Sequence, residues 1–278
     1  MQKFKAQQFN YKILAQNCES APLFPFLRDN NGCEQMYLVS PEHGRSFLIN
    51  KDNNERYIIS KGNGLSYTQY QFLHTAEFGN DTLGLLLQKD ALRDFYCGIE
   101  ISNLGIKTNQ MQYVLELDKT ITLTNNYKLK PILLQYSVEC PYRLSDAKYI
   151  NVSIIQKEID KWEKFNNKCF NKMHMVAADV LIHNLRILHN NNILHNALTP
   201  QNYTWALELL DFELTHTPNY PYDSEDDCRH VKDLFDREIF YVYQIIILIA
   251  GILHEDISYK DIDDLFEYYG FSMGKYKV

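Results

Sequence analysis

The spacing of apolar residues changes part-way along the 278-residue chain, and this change constrains the fold more than any other feature. From Met36 to Ser60, short alternating runs are separated by turn-forming residues, which is typical of antiparallel strands. A helical pattern follows at residues 87–106, and from about Ile155 onward the spacing is mainly helical. We therefore predict an α+β protein with a strand-rich front part and a helical back part.

Three local patterns add detail to this outline. Residues 1–30 contain prolines and several asparagines, and we expect them to be irregular. The stretch KGNG at residues 61–64 is expected to end the last strand of the meander, because its two glycines free the backbone. The longest apolar run, residues 240–253, is too short to span a bilayer and predicts a buried helix.

Composition and cysteine usage narrow the classes of function. The net charge of −7 argues against a protein that binds nucleic acid through a basic surface. The six cysteines form no CxxC pair and no Cys/His ligand spacing, which argues against a zinc site and favours a reducing compartment. We therefore expect a cytoplasmic protein with no nucleic-acid partner and no membrane partner.

The strongest motif is HNALTPQNYTWALELLDFE at residues 195–213. Its His195, Leu198, Pro200 and Asn202 have the spacing of the protein-kinase catalytic loop, HRDLxxxN, and Asp211 follows at the end of a predicted buried strand. An amide oxygen and a carboxylate are suitable ligands for Mg²⁺, which aligns the phosphates in phosphoryl transfer. Asn202 and Asp211 are therefore candidate metal ligands, and His195 is expected to brace the loop through hydrogen bonds.

A second group of candidate site residues begins at Lys61, which follows the predicted strand RYIIS. A lysine at this place can contact nucleotide phosphates, and an acid on the next helix is then needed to hold it. Plainer interpretations remain open for both groups of candidate residues. Lys61 can be a solvated lysine at a strand end, and the stretch around Asn202 and Asp211 can be an ordinary turn and strand.

Together the two regions resemble the selenoprotein O family, kinase-fold enzymes that transfer AMP from ATP to protein hydroxyls. The resemblance rests on KGNGLSYTQY and RDFYCGIEISNLGIKTNQ in the front part, and on HNALTPQNYTWALELLDFE in the back part. It covers roughly residues 56 to 240. It implies a protein-kinase-like two-lobed fold, with a strand-rich N-lobe at residues 1–150 and a helical C-lobe at residues 151–278.

The resemblance also implies roles for individual residues. Lys61 would contact the phosphates of ATP, and Asp94 would pair with Lys61. Asn202 and Asp211 would hold Mg²⁺ or Mn²⁺. Arg143 would match the second of two arginines that orient the nucleotide.

Three positions depart from the family or kinase pattern. Gln135 stands where the first orienting arginine is expected. Gln201 occupies the family's proposed base position and Ala197 the base position of ordinary kinases, so neither usual base is present. Glu213 is a candidate for a replacement base or a third metal ligand, although a solvated acid is the plainer interpretation.

Three functions remain open on the sequence alone. The first is transfer of AMP from ATP to a protein hydroxyl, and the second is transfer of the γ-phosphate to a protein or a small molecule. The third is a pseudokinase that acts as a scaffold, with or without bound nucleotide. Whether a companion protein completes the site is also open.

Two weaker candidates lie elsewhere in the chain. The acidic stretch YDSEDDCRH at residues 222–230 could bind a cation or a basic substrate, but a solvated segment is the plainer interpretation. The turn around Gly44 could approach phosphates closely, because glycine lacks a side chain.

Overall fold

The fold is seen in a computed structural model that describes residues 3–29, 32, 34–38, 46–64, 84–122, 126–221 and 231–273. The described residues contain ten β-strands and five α-helices, which confirms the predicted α+β class. The chain divides into two compact units, Met1–Ile99 with Thr108–Tyr142 and Glu100–Lys107 with Arg143–Val278. Among the described helices, none is long and apolar enough to cross a membrane.

An antiparallel sheet of eight strands forms the first unit, in the order β2-β7-β10-β6-β5-β4-β1-β3. Two further short strands, β8 and β9, pair with each other. The strands are β1 Lys3–Gln8, β2 Tyr11–Gln16, β3 Phe26–Arg28, β4 Glu34–Leu38, β5 Ser46–Lys51, β6 Tyr57–Lys61, β7 Gln110–Leu117, β8 Ile121–Thr122, β9 Lys128–Leu129 and β10 Ile132–Val138.

The expectation that residues 1–30 are irregular is wrong, because they contribute strands β1, β2 and β3. Strand β1 lies between β3 and β4, with Ala6 opposite Arg28. The glutamines and lysines of β1 and β2 hide the pattern in the sequence, and β3 is only three residues long. What holds them is long-range pairing and the burial of Ala6, Phe26 and Phe47 in one cluster.

Successive side chains along each strand point to opposite faces of the sheet, so the centre of the sheet has two distinct faces. Tyr113, Leu115 and Leu117 of β7 pack with Leu133 of β10 in one apolar cluster. Their neighbour Leu134 is paired with Lys61 and therefore lies on the opposite face. The face on which Lys61 lies is thus not the face of this cluster.

The five helices are α1 Gln88–Asn103, α2 Val152–Asp160, α3 Met173–Asn190, α4 Val231–Leu253 and α5 Tyr259–Tyr268. The pattern at residues 87–106 correctly predicts α1, which ends before Gly105 at a φ of +85°. The apolar run at residues 240–253 forms the second half of α4, as predicted. Its core-facing residues are Val242, Ile245, Ile246, Ile249 and Ala250.

A carboxylate distant in sequence anchors the start of α3. Lys172 at the N-cap offers no side-chain cap. Instead Glu255 accepts hydrogen bonds from the backbone N–H groups of Met173 at 2.8 Å and His174 at 2.9 Å. The ring nitrogen Nδ1 of His174 lies 2.7 Å from the same carboxylate. Burial acts to raise the pKa of Glu255, but these donors outweigh it and hold the pKa below its ordinary value of 4.5.

We expect Glu255→Gln to lower the free energy of unfolding by about 1 kcal/mol at pH 7, as for the loss of a helix cap. Because the pKa of Glu255 is lowered by folding, its contribution is present above pH 4.5 and is lost as the pH falls through the lowered value. The difference between wild type and variant should therefore shrink in acid. Urea unfolding at several pH values measures it, with Glu267→Gln on the exposed side of α5 as the control. An equal loss in both variants, or a loss that does not depend on pH, would contradict this account.

Candidate functional site

The first candidate site is a buried ion pair in the first unit. Lys61 ends β6, and its Nζ lies 2.8 Å from Oδ2 of Asp94 on α1. The two side chains are 2% and 1% exposed, so Lys61 is not a solvated lysine at a strand end. The structure places together the two residues that the resemblance pairs, and their contact with ATP stays a prediction.

The glycines after Lys61 permit a sharp turn at the end of β6. Gly62 has a φ of +94°, and a Cβ at this position would lie 2.4 Å from the carbonyl oxygen of Ile132. Glycine is therefore required by both the backbone angle and the close approach. Asn63 ties the turn to β3, because its Nδ2 donates to the carbonyl of Phe26 at 2.9 Å.

The second candidate site is the loop that begins at His195 in the second unit. His195 is fully buried, and its Nε2 donates to the carbonyl of Leu210 at 2.9 Å. Its Nδ1 accepts from the backbone N–H of Ala197 at 3.3 Å. The two partners fix a neutral ring with the proton on Nε2. This is the bracing role that the sequence predicts for His195.

Asn202 and Asp211 are joined through the backbone between them. The backbone N–H of Leu210 donates to the carbonyl of Asn202 at 2.9 Å. Asp211 is the next residue after Leu210, so this bond links its segment to Asn202. The Nδ2 of Asn202 donates to the carbonyl of Ala197 at 2.9 Å, and the Oδ1 of Asn202 lies 3.4 Å from Nη1 of Arg143. Asp211 has a φ of +68°, a left-handed conformation that is uncommon for a residue with a side chain.

The strand predicted to carry Asp211 is absent from the structure. Only two isolated bridges involve the stretch 203–211, one between Tyr203 and Leu209 and one between Thr204 and Arg143. The reason lies in local hydrogen bonds and backbone angles. The Oγ1 of Thr204 accepts from the N–H of Glu208 at 3.2 Å and so closes a tight turn, and Leu207 adopts a φ of +57°.

Arg143 and Gln135 hold different parts of the molecule. The Nη1 of Arg143 donates to the carbonyl of Gln201 at 2.8 Å and lies 3.4 Å from Oδ1 of Asn202. The guanidinium therefore braces the predicted metal ligand, and its contact with nucleotide stays a prediction. Gln135 is paired with Ser60, so its side chain lies on the sheet face opposite to Lys61. Both ends of its amide bond the backbone of Leu23, at 3.1 and 2.5 Å.

The sequence analysis missed Glu238, which anchors the loop from α4. Its carboxylate is 1% exposed and accepts from the backbone N–H of Asn196 at 2.7 Å. The other oxygen of Glu238 lies 3.0 Å from Nε2 of His189. Burial and the nearby Glu238 charge both raise the pKa of Tyr203, which keeps its phenol neutral. Glu238 is the last acid before the apolar second half of α4, and this position was the available signal for its role.

The remaining candidates are the possible bases and the two weaker candidate segments. Ala197 and Gln201 have no side chain that accepts a proton, so neither can be a base, whereas Glu213 is largely buried two residues after Asp211. The acidic stretch at residues 222–230 and the turn around Gly44 lie outside the described residues.

Comparisons with known proteins leave the family open. No protein-family model matches the chain, and no curated protein matches it. A solved structure to which it is similar is the crystal structure of the Toxoplasma gondii specific rhoptry antigen kinase domain. The identity is 8% and the TM-score 0.37, over 86% of this chain and 76% of that chain. A likeness this weak assigns neither a fold nor a function, and the resemblance to selenoprotein O stays a prediction.

We expect removal of either partner of the buried pair to destabilise the protein strongly. Lys61→Met or Asp94→Leu alone should lower the free energy of unfolding by about 3–5 kcal/mol, because the other charge is left buried and unpaired. The double variant should recover most of this loss, because two apolar side chains can replace a buried ion pair. Urea unfolding of the four proteins measures the coupling. Additive losses in the double variant would show that the two side chains do not interact.

Proposed function

We propose that the protein is an ATP-dependent, kinase-like transferase that moves AMP to a hydroxyl group of a protein, with Mg²⁺ or Mn²⁺ as the metal. The observation that carries the proposal is the buried contact between Lys61 and Asp94 at 2.8 Å. A buried ion pair contributes little net stability compared with apolar residues. A buried, charged lysine at this position is therefore better explained by a role in binding anionic phosphates.

The residues around Asn202 suit a divalent metal. Asn202 and Asp211 offer an amide oxygen and a carboxylate, the hard oxygen ligands that Mg²⁺ and Mn²⁺ take. The bond from Asn202 Nδ2 to Ala197 occupies the amide nitrogen, and Oδ1 would bind the metal alongside its contact with Nη1 of Arg143 at 3.4 Å. When bound, the metal would neutralise the phosphates and align them for transfer.

The chain's own residues would then act by binding and positioning. In AMP transfer the acceptor oxygen forms a bond to the α-phosphorus, the bond from that phosphorus to the bridging oxygen breaks, and pyrophosphate leaves. Glu213 is the candidate to take the proton of the acceptor hydroxyl, since Ala197 and Gln201 cannot. General-base help is worth about 10²–10⁴ in rate, so a poorly placed base would slow transfer without preventing it.

Transfer of the γ-phosphate is the second candidate, and the position of Gln135 favours it. Gln135 carries no guanidinium, and its amide faces away from Lys61 and is bonded to Leu23, so the first arginine that presents the α-phosphate in the family has no counterpart at this position. Without that group, the γ-phosphate is the more accessible point of attack. The acceptor would then be a hydroxyl of a protein or a small molecule.

Labelled ATP separates these functions. The chain is incubated with Mn²⁺ or Mg²⁺ and with ATP labelled in the α- or the γ-phosphate, with itself and a heat-inactivated cytosolic extract as acceptors. Label from the α-phosphate on protein supports AMP transfer, and label from the γ-phosphate alone supports phosphoryl transfer. We expect Asp211→Asn to lower the rate about 10²–10³-fold, because it removes a group that holds charge at the reacting centre.

Glu163→Gln is the matched control, because it makes the same kind of change at an exposed position in the second unit. Thermal unfolding with ATP and Mn²⁺ accompanies the assay. A ligand that binds the folded state at a hundredfold excess over Kd stabilises it by about 2.7 kcal/mol. A shift without transfer would contradict the transferase and favour a scaffold that binds nucleotide. No shift and no transfer would contradict nucleotide binding as well.

A further inference from the structure

Helix α4 carries apolar side chains on all sides over most of its length, although one side faces solvent. No charged residue lies between Glu238 and His254. The inner side of α4 packs against α3, but Phe240 and Leu248 on the outer side are 55% and 37% exposed. A helix that is apolar all round is normally buried. We therefore expect another element to cover the outer side of α4.

The outward-facing residues of α4 form one stripe along the helix. They recur every three or four residues, which is the spacing of a contact between two helices. The positions that alternate with them, such as Ile245 and Ile249, are fully buried. The outer stripe consists of Arg237, Phe240, Tyr241, Gln244, Ile247, Leu248 and Gly251.

The outer stripe is symmetric about Gln244. Its other members lie three, four and seven residues to either side of this glutamine. A stripe of this kind matches a second copy of itself that runs in the opposite direction, because in a two-fold contact residue i faces j and j faces i. In that arrangement Gln244 faces itself at the axis. Phe240 faces Leu248 of the second copy, and Tyr241 faces Ile247 of the second copy.

The side chains at the centre of the outer stripe suit such a contact. The amide of Gln244 can donate and accept at the same time, so two copies can form reciprocal hydrogen bonds across the axis. Phe240 and Leu248 enclose this amide pair with apolar surface. A single polar pair within an apolar helix contact also fixes the register of the two helices.

The two ends of the outer stripe are complementary in size and charge. Arg237 at one end faces Gly251 of the second copy at the other. A Cβ at Gly251 would meet nothing within 4 Å among the described residues, so packing within the chain does not require a glycine there. The C-terminal end of a helix is negative, and the last turn of α4 contains no basic residue. Arg237 of the second copy supplies that positive charge.

We propose that the outer stripe of α4 is the contact between two copies of this chain, packed antiparallel about a two-fold axis at Gln244. The symmetry of the stripe about one glutamine favours a second copy, because a different helix would not need to match it. The contact uses none of the residues of the two candidate sites, so it does not depend on the proposed function.

Sedimentation equilibrium of the full chain tests the proposal. We expect a reversible dimer at protein concentrations up to about 100 µM, because a contact of this modest size binds weakly. Phe240→Lys should weaken the dimer about tenfold or more, because it places a charge in an apolar contact. Val152→Lys on α2 is the matched control, since it makes the same kind of change at an apolar residue that is 74% exposed.

Two further variants test the antiparallel register. Gln244→Glu brings two like charges together at the axis and should weaken the dimer about tenfold or more. Phe240→Lys/Leu248→Glu should dimerise more tightly than Phe240→Lys, because each lysine then faces a glutamate of the other copy. Circular dichroism of each variant verifies that it is folded.

Four results would overturn the proposal. A wild-type chain that stays monomeric throughout would leave the outer stripe to a different protein. Equal weakening in Val152→Lys would show that the effect does not belong to the outer stripe. A dimer that is insensitive to Gln244→Glu, or a double variant that does not recover, would contradict the two-fold axis at Gln244.

Discussion

The hydrogen bond from the buried ring of His195 to the carbonyl of Leu210 holds together the two segments on which the second candidate site depends. One segment carries Asn202 and the other carries Asp211. Asn202 ends a single 3-10 turn, Pro200–Asn202, and Asp211 lies in neither a helix nor a strand, so no long ladder of backbone hydrogen bonds keeps the two segments in place. Hydrogen bonds from a few side chains hold the two segments in place instead.

Three further contacts support the same arrangement from different elements. Glu238 on α4 binds the N–H of Asn196, which has a left-handed φ of +66°. The Nδ2 of Asn196 donates to the carbonyl of Leu214, and Arg143 binds the carbonyl of Gln201. Backbone strain at a residue such as Asn196 or Asp211 costs on the order of 1–3 kcal/mol and persists only when its surroundings enforce it. The contacts found here supply that enforcement, and such preorganisation is what metal-assisted group transfer requires.

The ion pair between Lys61 and Asp94 in the first unit also places charged groups in the protein interior. Desolvation of each charge costs several kcal/mol, and an apolar pair of similar size would give comparable stability. Stability alone therefore does not explain the buried charges of Lys61 and Asp94. Lys61, Asp94, His195 and Asn202 are buried and hydrogen-bonded, as polar groups in a protein interior must be, whereas Asp211 is half-buried.

The sequence was sufficient for features that depend on local pattern. Helices α1 and α4 follow from apolar spacing, and the turn after Lys61 follows from its glycines. The sequence failed where long-range contacts decide the structure. Strand β1 is rich in lysine and glutamine, β3 has only three residues, and all of β1 to β3 depend on pairing with other segments. The anticipated strand before Asp211 is replaced by a turn closed by Thr204. Glu238 was missed because its partner, the N–H of Asn196, lies 42 residues away. No local pattern records a bond between a side chain and a distant backbone group.

The central claim is that Asn202 and Asp211 hold a divalent metal together with a nucleotide phosphate. A crystal structure of the chain with Mn²⁺ and a non-hydrolysable ATP analogue tests it most directly, because the anomalous signal of Mn²⁺ locates the metal without ambiguity. The account predicts a Mn²⁺ peak within bonding distance of Asn202 Oδ1 and the Asp211 carboxylate, with a phosphate oxygen completing its coordination. A nucleotide bound elsewhere, or Mn²⁺ absent from these two side chains at saturating concentrations, would contradict it.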